Sequence, residues 1–198
     1  MLNYVVANLK KMVVWKLVQE KIPPKPVPPT IKTSKVMATN AIRNLITTLT
    51  GKNGPARKRA REQLVEIGQP AVSSLLPLLS DKQTYVRWEA AKALSEIGDP
   101  DAAPALVKAL EDDDPGIRWM AAEGLVRVEQ AGLPPLLEAL MERGESSRLR
   151  EGANHVLKIL AKNEKLPPQA ESVLHALHGA GSASEIPRTA KIALETMG

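Results

Sequence analysis

Cysteine is absent from all 198 residues, which excludes disulfides, thiolate metal sites and cysteine nucleophiles. Phenylalanine is absent as well, and aromatic residues make up only 3% of the chain. The core must therefore be built mainly from Ala, Leu, Val and Ile, side chains whose size suits closely packed helices. No apolar run approaches the roughly 20 residues that cross a bilayer. The longest near the N-terminus, Met12 to Trp15, is framed by Lys11 and Lys16. Those lysines also break the continuous apolar core that a secretory signal needs, so the chain reads as cytoplasmic. The G-x-S-x-G, P-loop, G-x-G-x-x-G and H-E-x-x-H patterns are all missing. No catalytic residue is assigned, and the chain reads as a non-enzyme. His155, His175 and His178 are the only histidines, and no cysteine or well-placed acid completes a ligand set around them. Neither a metal nor a cofactor is expected.

Charge of one sign is also scarce in most of the chain. The formal net charge is +5, yet residues 1–35 hold seven lysines against the single acid Glu20. The remainder carries 20 basic and 21 acidic side chains, so the body is close to neutral. A duplex-binding surface needs a clustered basic face, and this balance makes a nucleic-acid partner an unfavoured expectation.

What is present is a repeat. Segment 86–98 reads VRWEAAKALSEIG and segment 117–128 reads IRWMAAEGLVRV, with Arg87/Arg118, Trp88/Trp119, Ala90/Ala121, Ala91/Ala122 and Leu94/Leu125 matched at a spacing of 31. Upstream, Arg57, Ala60, Leu64, Glu66, Ile67 and Gly68 match Arg87, Ala90, Leu94, Glu96, Ile97 and Gly98 at 30; downstream, Leu149, Ala153 and Leu157 match at 32. A constant period of this length is the mark of a stacked array. Each unit splits into two helices. Val86, Ala90, Ala93, Leu94 and Ile97 share one helical face. Gly68 and Gly98 stand where a helix ends with positive φ, and Pro70 and Pro100 follow near the next helix start. In the acidic run Glu111, Asp112, Asp113 and Asp114, the last members are placed to cap the helix that follows.

This pattern resembles the HEAT-repeat family, in the short form found in phycobilisome-lyase-like proteins. The resemblance rests on two D-x4-[VI]-R spacings, Asp81 to Arg87 and Asp112 to Arg118, each followed by an Ala-rich helix, and on helix ends reading EIG-Q-P and EIG-D-P. It is clear over roughly residues 55–160. It implies an all-α solenoid of about five HEAT-like helical pairs, in which Asp81, Arg87, Asp112 and Arg118 are structural bridges between adjacent repeats. In the fourth copy Gly144 replaces the acid six residues before Arg150. The expected organisation is a basic amphipathic N-terminal helix over 1–21, a proline-rich linker over 22–35 and the solenoid over 36–198, with 36–50 as a first outer helix and 167–197 as a degenerate capping unit.

In the arm, Leu2, Val5, Val6, Leu9, Met12 and Val13 fall on one helical face, with Lys10 and Lys11 elsewhere. Three roles stay open for it: capping the first repeat, docking on a partner protein, or lying on an anionic membrane surface. The body offers a second surface. Trp88, Lys92 and Ser95 point away from Val86, Ala90 and Leu94, and Trp119, Glu123 and Val126 do the same one repeat later. In the family arrangement this face lines the concave groove. The two tryptophans there either anchor a partner or pack between helices. Arg57 and Arg61, with Lys58 and Arg59, form the densest basic patch of the body, either a solvated face or a contact for an acidic partner.

The functional expectation is a non-catalytic scaffold or adaptor. It would bind a partner protein through Trp88, Lys92, Trp119, Glu123, Arg57 and Arg61, with the arm as a second contact. The resemblance also implies an alternative, a bilin lyase-like protein or chromophore-protein chaperone, without assigning it a catalytic residue. A third reading is a DNA-binding or DNA-repair HEAT-like protein, for which Trp119 and Glu123 would be the groove residues.

Overall fold

The computed structural model describes residues 31–178 and 185–197, with side chains from Ala38 onward. The arm residues Leu2, Val5, Val6, Leu9, Lys10, Lys11, Met12 and Val13 lie outside the described residues. The chain divides into two compact units, Met1–Thr39 and Asn40–Gly198.

The first described helix, α1, runs from Ile31 to Leu49. It starts inside the segment assigned to the linker. The proline effect on backbone geometry reaches one residue back from each ring, so nothing after Pro29 forbids a helix, and no further proline occurs until Pro55. Ile42 and Leu49 are buried at its C-terminal end.

Nine further α-helices follow among the described residues: α2 (Gly54–Ile67), α3 (Gln69–Leu75), α4 (Thr84–Ile97), α5 (Ala103–Ala109), α6 (Pro115–Val128), α7 (Leu133–Arg143), α8 (Ser147–Lys162), α9 (Pro168–His178) and α10 (Glu185–Met197). Their starts are set by short polar caps. Asn53 Oδ1 accepts from the Ala56 amide, Asp114 Oδ1 from Gly116 and Ile117, and Ser146 Oγ from Leu149. Helix ends at Gly68 and Gly98 have φ of +71° and +67°, and each glycine amide returns to the carbonyl four residues back. Pro77 lacks the N–H that an α-turn would use, and there α3 tightens into a 3-10 segment, Leu76–Ser80.

Helices α2, α4, α6 and α8 pack in sequence as one layer, while α5 and α7 pack side by side in the other. The interior between layers is apolar. Leu64, Leu94, Leu106, Leu125, Leu137 and Leu157 are all inaccessible to solvent, and each contributes about 1.5–3 kcal/mol through burial. Ala90, Ala91, Ala121 and Ala122 are buried where neighbouring helices approach, as small side chains permit.

The array ends on a reversed pair. In a regular continuation α9 would pack on α7 and α10 on α8. Instead α9 lies on α8 and α10 packs extensively on α7. Ile186, Ala190 and Ala193 of α10 are buried, which closes the apolar interior at this end.

Candidate functional site

The layer formed by α2, α4, α6 and α8 carries every body residue expected to meet a partner. Its three junctions are built differently.

At the α2–α4 junction the basic patch is spent on the fold. Arg61 is 6% exposed; its Nε donates to Glu89 Oε2 at 3.1 Å and its Nη1 to Glu96 Oε2 at 2.8 Å. Arg57 stands 3.6 Å from Glu89 Oε1, and its guanidinium lies 4.4 Å from the centre of the Tyr85 ring. Lys92 pairs with Glu96 at 3.0 Å. Lys92 and Glu96 thus form a partly exposed pair along one helix, whereas Arg57 and Arg61 are held in buried ion pairs of the fold. Removing one partner of so buried a pair costs about 3–5 kcal/mol, because the other charge is stranded. Only Lys58 and Arg59 of the patch face solvent. The missed signal was Glu89, a buried acid in the neighbouring repeat on the otherwise apolar side of its helix.

At the α4–α6 junction, Arg87 donates from Nε to Asp112 Oδ2 at 2.7 Å and from Nη2 to Asp112 Oδ1 at 3.0 Å. Its Nη1 donates to the Asp81 carbonyl at 3.0 Å. Asp81 in turn accepts the Gln83 amide at 2.8 Å. Burial pushes the Asp112 carboxyl up. The Arg87 hydrogen bonds, the Asp114 amide and the charges of Arg87 and Arg118 outweigh it and hold the group below the ordinary value. The same hydrogen bond to Asp112 raises Arg87, against the opposing effect of burial. Trp88 is half-buried here. Its indole rests on the first turn of α6, where a Cβ on Gly116 would stand 3.4 Å from Trp88 Nε1.

The α6–α8 junction is open. Trp119 is 52% exposed, the most exposed of the large apolar side chains among the described residues. Its ring lies 4.8 Å from that of His155 at 52°, and His155 Nε2 is 3.0 Å from Glu123 Oε1. Glu123 and His155 occupy equivalent positions of adjacent repeats, 32 residues apart. Beside them a cleft of about 350 Å³ is lined by Leu110, Arg118, Trp119, Ala122, Arg148, Glu151, Asn154, His155 and Lys158, among others. Arg118 Nη1 donates to the carbonyls of Asp112 at 2.8 Å and Asp113 at 3.0 Å, within its own repeat. It makes no ion pair to a following repeat among the described residues, since Gly144 stands where the next acid would be. No group of residues suited to hold a metal ion occurs among the described residues.

Three replacements in the fourth repeat set this junction apart from the one before it. The period of 32 places Gly144 opposite Asp112, Arg148 opposite Gly116 and Gly152 opposite Met120. Arg148 does not cover Trp119 as Gly116 supports Trp88; it turns to Asp113 Oδ1 at 2.8 Å.

Stacked helical pairs at a near-constant period, with an apolar interior between two layers, define an α-solenoid. The HEAT-repeat family model matches residues 42–117 and 99–158. The chain belongs to the HEAT-repeat family. Among solved structures, it resembles the complex of CpcE and CpcF of phycocyanin lyase from Nostoc sp. PCC7120, at 24% identity over 78% of this chain and 98% of that chain, with a TM-score of 0.52. It also matches a designed armadillo repeat protein in complex with the peptide (KR)4, at 20% identity over 83% and 85% of the two chains, with a TM-score of 0.44. No curated protein sequence matches significantly. At 24% identity the likeness to the lyase complex is one of fold.

Proposed function

We propose that this HEAT-repeat protein is a non-catalytic scaffold that binds a partner protein across the α6–α8 face. Trp119 is the anchor of that face, Trp88 and Glu123 flank it, and the N-terminal arm serves as a second contact. The observation that carries the reading is the exposure of Trp119, 52%, beside an open cleft, whereas its equivalent Trp88 is half-covered by the next repeat. A large aromatic left uncovered at the centre of a rigid helical face is the usual form of an interface anchor. Two contacts joined by a tether raise affinity through effective concentration. No described helix is long and apolar enough to cross a membrane. A cytoplasmic location, with the arm touching a partner or an anionic surface, belongs to the same proposal.

The test is capture of partners from the native host's lysate with the full chain, Trp119→Ala, Lys58→Gln and a deletion of residues 1–35. The scaffold reading expects a specific partner that Trp119→Ala loses and Lys58→Gln keeps. Equal capture by all four baits would remove the face from consideration. The fold likeness to the phycocyanin lyase complex supports a second reading, a bilin lyase-like or chaperone role. Added bilin that leaves the absorption spectrum unchanged, with no transfer to an acceptor protein, would exclude it.

A further inference from the structure

Three arginines one repeat apart are anchored alike and finished differently. Nη1 of Arg57 donates to the carbonyls of Gly51 at 3.2 Å and Lys52 at 3.0 Å, Nη1 of Arg87 to Asp81 at 3.0 Å, and Nη1 of Arg118 to Asp112 at 2.8 Å and Asp113 at 3.0 Å. In each case the loop that opens the helix grips one corner of the guanidinium and leaves the Nε–Nη2 edge available. Arg87 gives that edge to the carboxylate of Asp112, in a bidentate pair of 2.7 and 3.0 Å. Arg57 has Glu89 and the Tyr85 ring beside it. For Arg118, no carboxylate lies within ion-pair distance among the described residues, and the side chain lines the cleft beside Trp119.

We propose that this cleft takes an acidic peptide segment of the partner, with a carboxylate on the Nε–Nη2 edge of Arg118 and a neighbouring apolar side chain against Trp119. The inference rests on the scaffold reading and names the chemistry that the scaffold recognises. A guanidinium held at one corner presents a planar two-donor edge that matches a carboxylate. The fold itself makes that match one repeat earlier, at Arg87 and Asp112.

The rest of the cleft suits the same occupant. Lys158, on its far side, has no ion-pair partner among the described residues, and Arg148 keeps nearly half of its side chain exposed beyond its bond to Asp113. Leu110 and Ala122 give the floor an apolar surface next to the indole. Asn154, also on the floor, has a buried Oδ1 without a hydrogen-bond partner, an acceptor that would take a backbone N–H of the peptide and not its carboxylate. Charge decides between a peptide and a nucleic acid. Glu151 lines the same cleft and Glu123 stands beside it, bound to His155. A continuous line of phosphates would meet these acids, while an isolated carboxylate among apolar neighbours would not.

The experiment is to pan a displayed random-peptide library on the full chain and measure the enriched peptides by fluorescence anisotropy. Enrichment of Asp or Glu beside an apolar residue is expected. Binding should fall about tenfold or more in Arg118→Gln, the worth of one charge-assisted bidentate contact. It should fall about threefold in Lys158→Gln, a solvent-facing charge, and be unchanged in Lys58→Gln. Far-UV circular dichroism checks each fold, and Lys158→Gln keeps the test open if Arg118→Gln unfolds. Three results would overturn the proposal: no enrichment, enrichment of basic or neutral peptides, or displacement of the peptides by duplex DNA at low salt. A lysate partner that depends on Trp119 but ignores both Arg118→Gln and Lys158→Gln would overturn the carboxylate assignment and leave the protein-binding face standing. Loss of the Trp119 dependence itself would remove the scaffold reading beneath it.

Discussion

Pro187 fills the space that a side chain at Gly144 would need: a Cβ there would stand 3.0 Å from both Cδ and Cγ of Pro187 and 2.7 Å from the Leu140 carbonyl oxygen. Position 144 is where the repeat period puts the acid that Asp81 and Asp112 supply earlier. A second arginine–aspartate pair like Arg87–Asp112 and the closing of the array by α10 therefore compete for one site, and the closing helix occupies it. Restoring the repeat consensus with Gly144→Asp should lower stability by about 2 kcal/mol, as overpacked cores do. Adding Pro187→Ala should return part of the loss, because the carbonyl clash remains. Urea unfolding of the two variants tests this, and a higher midpoint in Gly144→Asp would show that α10 does not pack as described.

The Arg87–Asp112 pair should make stability fall in acid. The Asp112 carboxyl is held below its ordinary value, so the unfolded chain binds its proton more readily than the folded one. Its contribution is then complete above the unfolded carboxylate value of about 3.9. It is lost as the pH falls through the lower folded value. Asp112→Asn should cost about 1–3 kcal/mol at neutral pH, since the Arg87 guanidinium loses its charged partner in a largely buried setting. It should also flatten the acid limb of the stability profile. Urea midpoints at neutral pH and near pH 3 check both parts, and parallel profiles for the two proteins would mean that Asp112 is not a source of the acid dependence.

The layers were legible in the sequence because they rest on local signals that recur. Ala90, Leu94, Ala121 and Leu125 mark the buried stripe, and Gly68 and Gly98 end their helices with the expected positive φ. The site was only half legible. Trp88 and Trp119 are identical in register, so a single-repeat reading treats them alike. Their exposure depends on what the next repeat places against them, the first turn of α6 at Gly116 in one case and only the His155 ring in the other. Arg57 and Arg61 looked like surface charge because their acids sit one repeat away, at Glu89 and Glu96. Reading the register across repeats, rather than along each helix, would have exposed both. The reversed packing of α9 and α10 had no such signal, since the repeat pattern has faded before residue 168.

Glu129 should be replaceable by glycine with a gain in stability. It occupies the position of Gly98 one repeat later, with φ of +56°, where a side chain is strained. Such a backbone costs on the order of 1–3 kcal/mol. The carboxylate forms an ion pair with Lys165, but both side chains are nearly half exposed, so the pair is worth about 1 kcal/mol or less. Glu129→Gly should therefore gain roughly 1 kcal/mol, or about 2–4 °C in Tm. Glu129→Ala keeps the strain and loses the pair, so it should be no more stable than the parent. If both variants lose stability equally, the ion pair and not the backbone dominates at this corner.

The two tryptophans should separate cleanly when each is cut to alanine. Trp88 is half-buried and rests on the start of α6, so Trp88→Ala opens a gap at an inter-repeat junction. The expected cost is about 2–3 kcal/mol, below that of a fully buried ring. Trp119 is 52% exposed and its ring contact within the fold is to His155. Trp119→Ala should cost about 1 kcal/mol or less, the value of one aromatic pair near solvent. It should also remove more acrylamide-quenchable fluorescence than Trp88→Ala does. Thermal melts and quenching together decide the point. A large stability loss in Trp119→Ala would mean that the indole is held within the fold, and the cleft beside it would lose its anchor.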